Sequence, residues 1–281
     1  MGTFTLQYME QLRREIVMKI KFINPFGTSD YNSIIFDTLN VYARKDTELV
    51  IEHITDAPKN IDYYWPKHLM ETKIFETVIN SEKEGFDAVI VGCCYDPGVR
   101  VSRELVDIPV IGPLEASLQM ASYFGHSTSV LTDHRKAVPA IKDLVHVYGY
   151  DYQCKNVDCI DWYVEDMIKS PFETAEDAYN LGKKYMQKHN SESVILGCTI
   201  ISACLEYAII NGKKEYLEFP ILNPNTMALK MAENLAHLKQ LNRYQINRAG
   251  FYSILKKHNK EEFDSLVDQY IPKEGVTNEN S

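Results

Sequence analysis

The sequence has little that would take it to a membrane or a nucleic acid. No apolar run approaches the roughly 20 residues of a membrane span. There is no long basic run and no interleaving of basic with aromatic residues, and the net charge is −9. That pattern excludes the usual electrostatic footprints for nucleic acid and anionic lipid. The start, "MGTFTLQYMEQLRREIV", lacks the basic head, apolar centre and small-residue cleavage site of an export signal. A cytoplasmic location is therefore expected. No CxxC pair is present, so the usual spacing of a structural zinc site is missing and no metal is expected. In the cytosol the six cysteines should be mostly reduced, buried apolar thiols being the ordinary reading of any one of them.

What remains is an ordinary globular balance, with 45% of 281 residues hydrophobic and 25% charged. Short β-branched runs alternate with segments of helical period. "KIKFINP", "ELVIEHI", "DAVIVGC", "IPVIGP", "STSVLTD", a weaker run near 150–157, "SVILGC" and "FPILNP" read as strands. The strongest are apolar on both faces, as in a parallel sheet covered by helices. "PLEASLQMASYFG", "HRKAVPAIKDLVHVYG", "TAEDAYNLGKKYMQKH" and "TMALKMAENLAHLKQL" read as helices between or after them. The alternation predicts an α/β fold.

The order also repeats. Val89-Ile90-Val91-Gly92-Cys93 aligns with Val194-Ile195-Leu196-Gly197-Cys198, and each run is followed by a helical segment and then "PVIGP" or "PILNP". The two copies lie about 105 residues apart, which predicts two pseudosymmetric lobes facing each other, each a short, mostly parallel sheet flanked by helices. The expected division is an extension over 1–17, a first lobe over 18–113 plus about 219–241, and a second lobe over 114–218. A helical C-terminal extension with a frayed end is expected over 242–281. In the alignment Cys94 corresponds to Thr199.

Ligands of parallel α/β sheets sit beyond the carboxyl ends of the strands, where Cys93 and Cys198 both fall. Two thiols facing a ligand from opposite sides suit inversion of a carbon acid, with a base on one face and an acid on the other. The ordinary thiol pKa, ~8.5, allows both forms near neutrality. The plain alternative is that each Gly-Cys is packing.

At these residues the sequence resembles the Asp/Glu/hydantoin racemase superfamily over most of 18–241. "INPFGTS" is similar to the family's opening strand and loop. "GCCYDPGV" resembles the hydantoin racemase motif CFxDPG, "IPVIGPLEAS" the segment PVIGxxEA, and "LGCT" the second cysteine site. "GCTII" and "NPFGTS" depart from the commonest forms of those motifs. The resemblance implies a cofactor-independent racemase with its active site between two lobes and Cys93 and Cys198 as the catalytic acid–base pair. It leans towards a 5-substituted hydantoin or related amino-acid derivative. An aspartate or glutamate racemase and a maleate-type cis–trans isomerase remain open within the superfamily. A two-lobed small-molecule binding protein without turnover remains open outside it. A small-molecule substrate and a homo-oligomer are the partners the reading implies.

The remaining candidates line the same strand ends. Asn24 suits a substrate carbonyl or carboxylate, or a turn cap. Gly27, Thr28 and Ser29 suit an oxyanion-binding loop, or ordinary turn chemistry. Asp96, Pro97 and Gly98 should shape a tight turn, with Pro97 starting the helix. Cys94 and Thr199 stand beside the two thiols, and Thr199 also suits an N-cap. Thr132, Asp133 and His134 end the first strand of the second half and should line the cleft. Glu115 orients the cleft by hydrogen bonds or favours a helix start. Tyr63, Tyr64 and Trp65 form an aromatic cluster able to close over a substrate side chain.

Overall fold

The computed structural model describes residues 17–270, so the expected N-terminal extension and frayed C-terminus lie almost wholly outside the described residues. Eight strands form two four-stranded parallel sheets. β1 (Met18–Asn24), β2 (Thr47–His53), β3 (Ala88–Val91) and β4 (Val110–Ile111) stand in the order β2-β1-β3-β4. β5 (Thr128–Thr132), β6 (Cys154–Cys159), β7 (Ser193–Leu196) and β8 (Ile221–Leu222) stand in the equivalent order β6-β5-β7-β8. The repeat seen in the sequence is thus a repeat of topology.

β3, β5 and β7 are buried along their whole length. Continuous apolar runs of this kind arise because helices cover both faces of a parallel sheet, leaving no solvent side to demand alternation. Helices α1 (Asn32–Leu39), α2 (Tyr64–Lys83), α3 (Val99–Leu105) and α4 (Pro113–Ala121) fall within or just after the first sheet. α5 (Ala137–Val147), α6 (Val164–Met167), α7 (Pro171–His189) and α8 (Thr199–Ile210) fall within the second. α9 (Pro224–Gln240) runs back over β1, β3 and β4, while the strand before it, β8, pairs with β7. The stretch 219–241 therefore divides between the two sheets.

Three boundaries differ from the sequence reading. α4 stops at Ala121 rather than Gly125, residues 122–125 forming a turn. α3 begins at Val99 behind an N-cap Gly98 at φ 68°, so Pro97 belongs to the turn and does not open the helix. Beyond Leu241 the helical segments are α10 (Leu255–His258) and α11 (Lys260–Tyr270). The chain from 243 to 254 is instead an irregular strap, with turns over 248–252, held by Arg248. Its guanidinium donates to the carbonyls of Arg103, Glu104 and Val106 and pairs with Asp107. Among the described residues no helix is long and apolar enough to cross a membrane.

Candidate active site

Both Gly-Cys pairs are placed by the same device. The Gly92 N–H donates to Ile23 O at 2.8 Å, and the Gly197 N–H donates to Leu131 O at 2.8 Å. Each extends the ladder one step past its strand, against the central strand of its sheet. A Cβ on Gly92 would stand 2.0 Å from the Phe22 ring, and one on Gly197 would stand 2.8 Å from Val130. Only glycine lets the strand end approach its neighbour this closely. The chain then turns. Cys93 N–H bonds back to Val91 O at 2.7 Å and Asp96 N–H to Cys93 O at 2.9 Å, whereas Cys198 becomes the N-cap of α8.

The two lobes bring these turns together. Cys93 and Cys198, at 8% and 7% exposure, line one cavity with Cys94, Tyr95, Gly197 and Thr199. Phe26, Ile61 and Val164 supply its apolar wall, and Asp62 and Asp133 its carboxylates. Its free volume is about 20 Å³. Burial pushes the Cys93 thiol up to about 12, against the pull of Lys67 and the Tyr95 N–H. Burial and Asp133 hold Cys198 well above the usual thiol range, against the N–H groups of Ile201 and Ile200 at the start of α8.

Next to them lies a charged cluster. Asp133 Oδ1 accepts from Thr132 Oγ1 at 3.0 Å and from the His134 N–H at 2.9 Å. Burial raises the Asp133 carboxyl, although His134 and these donors oppose it. His134 is buried, stacks on Tyr163 and places Nε2 3.7 Å from Asp62 Oδ1. Burial lowers its pKa, but the facing Asp62 and Asp133 outweigh that and raise it. Asp62, Asp133 and His134 could each offer a donor atom within 4.8 Å of the others, the one group of metal-ligand type among the described residues. Asp133 Oδ1 already accepts two hydrogen bonds, whereas both ring nitrogens of His134 are buried without a hydrogen-bond partner, Nε2 facing Asp62 across an ion-pair distance.

The other expected residues are distributed around this cavity. Thr199 and Cys94 line it. Thr132 and His134 stand just behind Asp133 and outside the lining. Asn24 is fully buried, its amide donating to Asn32 while its Oδ1 has no partner. Gly27, Thr28 and Ser29 lie outside the lining, with Ser29 exposed and Thr28 Oγ1 accepting from the Asp30 N–H. Asp96 is turned away from the thiols. Its carboxylate accepts from the N–H groups of Leu114 and Glu115 and from Tyr148 Oη, so it caps α4 in place of Gly112. Pro97 and Gly98 complete that turn. Glu115 pairs with Arg103 and ties α4 to α3. Tyr63 and Tyr64 sit by Lys136 of the second lobe, while Trp65 is exposed.

Phe26, Ile61, Asp62, Lys67, Tyr95 and Val164 contribute without having been among the sequence candidates. Lys67 stands over the Tyr95 ring. Tyr95 carried a usable signal, being two residues from Cys93. Asp62 and Lys67 carried none, since the tertiary fold brings them in from a loop and a helix start.

Comparison with known proteins agrees with the geometry. The model of the Asp/Glu/Hydantoin racemase family matches residues 20–232. A hydantoin racemase of Pseudomonas sp. (strain NS671) is 30% identical over 221 residues, covering 79% of this chain and 87% of that protein. The structure of an allantoin racemase from Klebsiella pneumoniae superposes with a TM-score of 0.74 at 22% identity, over 84% of this chain and 93% of that one. A glutamate racemase from Francisella tularensis superposes with a TM-score of 0.54 at 13% identity, over 84% and 85%. At these identities the two structures share the fold.

Proposed function

Since the chain belongs to the Asp/Glu/hydantoin racemase family and is an enzyme of the racemase/isomerase kind, we propose that it racemises a 5-substituted hydantoin or related amino-acid derivative without a cofactor. Cys93 and Cys198 exchange the proton. The observation that carries this reading is their convergence, from equivalent strand ends of two lobes, on one buried cavity.

In the reaction one cysteine, as thiolate, removes the proton from the substrate's stereogenic carbon. The electron pair left behind delocalises into the adjacent carbonyl as an enolate. The opposite cysteine, as thiol, then delivers its proton to the other face, and the enzyme is left with the two protonation states exchanged. A hydantoin's ring carbonyls acidify that carbon more than a free amino acid's carboxylate does. Backbone N–H groups at the strand ends and at the start of α8 are placed to receive developing negative charge. The two thiols form a coupled pair, so which is thiolate depends on the enantiomer bound.

The cavity wall supports a weakly charged substrate with an apolar substituent. Phe26, Ile61 and Val164 offer apolar surface, and the carboxylates of Asp62 and Asp133 would disfavour a dicarboxylate such as aspartate, glutamate or maleate. The test is α-proton exchange in D2O followed by proton NMR and optical rotation. L- and D-5-substituted hydantoins, allantoin, aspartate and glutamate are offered to wild type, Cys93→Ser and Cys198→Ser. Exchange with loss of rotation on a hydantoin in wild type, and no racemisation in either variant, is the expected result. Absence of exchange on every compound would sink the reading, and turnover of aspartate or glutamate alone would replace the substrate class.

A further inference from the structure

The Lys67 ammonium has no evident structural purpose. It projects from the first turn of α2, is 7% exposed, and its Nζ has no hydrogen-bond partner. Burying an unpaired cation is costly, and a methionine would fill the same space without that cost. Part of the cost is offset by the ring of Tyr95, over which Nζ lies. What Nζ faces is the wall of the active-site cavity. Burial lowers the Lys67 pKa, against the pull of Cys93, Asp133, Asp62 and Glu71, which favour the ammonium. Cys93 in turn has Lys67 as its leading favourable influence.

Cys198 is served differently. No lysine or arginine figures among its main influences, and the N–H groups of Ile200 and Ile201 act there instead. The pseudosymmetry is therefore broken at the thiols, one facing a helix start and the other a lysine. We propose that Lys67 is a positioning residue for the acid–base pair, its ammonium holding Cys93 as thiolate when Cys93 is the base. The inference rests on the two-cysteine reading for its use in turnover. The test of a Lys67–Cys93 interaction does not depend on it. The proton that Cys93 gains or loses is exchanged with substrate.

All the groups around the pair bear on its titration. α2 itself presents Tyr64 and Glu71, and the loop before it Asp62. The turn after β3 presents Tyr95 and Asp96, and the loop after β5 presents Asp133 and His134. The carboxylates Asp62, Asp133 and Glu71 favour the charged lysine, while Asp96 and Asp133 oppose a thiolate at Cys93. Lys67 is the lysine or arginine that offsets them there.

The experiment is site-resolved alkylation. Wild type, Lys67→Met and Lys67→Arg are treated with iodoacetamide from pH 6 to 10, and Cys93 and Cys198 are quantified separately by peptide mass spectrometry. No turnover is needed, so a failed racemase assignment would not disturb the result. With Lys67→Met, the Cys93 profile should move to higher pH. At a fixed pH below the profile, modification should slow about tenfold for each pH step of one by which it moves. The Cys198 profile should stay in place, which also reports an intact fold, and Lys67→Arg should restore much of the Cys93 rate. In turnover, the acid limb of kcat/KM in Lys67→Met should move the same way for both enantiomers, because their equilibrium constant is fixed at one. An unmoved Cys93 profile would overturn the proposal, as would equal displacement at both cysteines. A rise in KM with an unmoved profile would overturn it in favour of a contact between Lys67 and the substrate itself.

Discussion

Thr199 Oγ1 donates to the carbonyl of Gly92 at 3.1 Å, so the residue after Cys198 is tied to the residue before Cys93. The reverse tie is also present, Cys94 Sγ donating to the carbonyl of Leu196 at 3.7 Å. Cys94 and Thr199 are equivalent in the internal repeat. Each lobe thus reaches across and occupies a carbonyl at the strand end of the other, and the two cysteine turns are held face to face by their own neighbours.

Thr199→Val should loosen this clasp. It keeps the volume but leaves the buried Gly92 carbonyl without a donor, a loss of about 1–3 kcal/mol. Thr199→Ser keeps the donor and should cost less. Cys94→Ala should cost least, because a thiol is a weak donor. Urea melts of the three variants order these costs. A Thr199→Val midpoint equal to that of wild type would mean that the clasp adds nothing to stability.

Asp96 offers a test by pH. Burial raises its carboxyl to about 7, even though the N–H groups of Leu114 and Glu115 and the Tyr148 hydroxyl all pull downwards. Its value in the unfolded chain is about 3.9. A group raised in the folded state stabilises when protonated. That contribution is complete below about pH 4 and is lost as pH rises towards 7. Asp96→Asn has no such titration, so thermal melts between pH 4.5 and 7.5 should show wild type losing stability relative to the variant. Should wild type instead gain relative to the variant across that window, the three donors and the start of α4 outweigh burial and the carboxylate is ionised throughout.

All eight strands were legible in the sequence, as was the pairing of Cys93 with Cys198. Both follow from physics that leaves a linear trace. A strand buried on both faces needs an unbroken apolar run, and a duplicated topology repeats its glycine wherever a strand end crowds its neighbour. Asp96 was misleading for the opposite reason. Its neighbours in sequence suggest a site loop, but its partners are N–H groups near residue 114, a contact across the fold that leaves no local pattern. Lys67 lies on a helix whose surface is rich in charge, so nothing distinguishes the one lysine that points inward. The stretch 243–254 has helical composition, yet it forms an irregular strap that Arg248 ties to carbonyls more than a hundred residues away.

Gly27 is required by a close approach. A Cβ there would lie 1.9 Å from Ala57 O, because the loop after β1 lies directly on the backbone at 57–58. The Gly27 N–H donates to Pro58 O at 2.9 Å and the Ile54 N–H to Phe26 O at 3.3 Å, so this contact also seats Phe26 in the cavity wall. Gly27→Ala must push the two backbones apart, at a cost of roughly 1–3 kcal/mol. Loss of thermal stability together with a raised KM is expected. Unchanged KM in a destabilised variant would show that Phe26 keeps its place without the contact.

The closed cavity sets the last expectation. A free volume of about 20 Å³ accommodates roughly one water, far less than a five-membered ring with two carbonyls. Substrate binding there requires the cavity to widen, as it would if the lobes parted. At the mouth two contacts join them, Asn60 Nδ2 donating to Glu165 Oε1 at 2.9 Å and Tyr64 Oη to Lys136 O at 3.4 Å. Both are exposed, so each adds at most about 1 kcal/mol to closure, a factor of about five in the opening equilibrium. Glu165→Ala should then speed iodoacetamide labelling of Cys93 and Cys198 together, by up to about fivefold at fixed pH. Its global melting temperature should hardly change. A common factor at both cysteines is the signature of opening, because a local change in thiol chemistry would favour one of them. Labelling at the wild-type rate would mean that the cavity opens by a motion that leaves the Asn60–Glu165 contact intact.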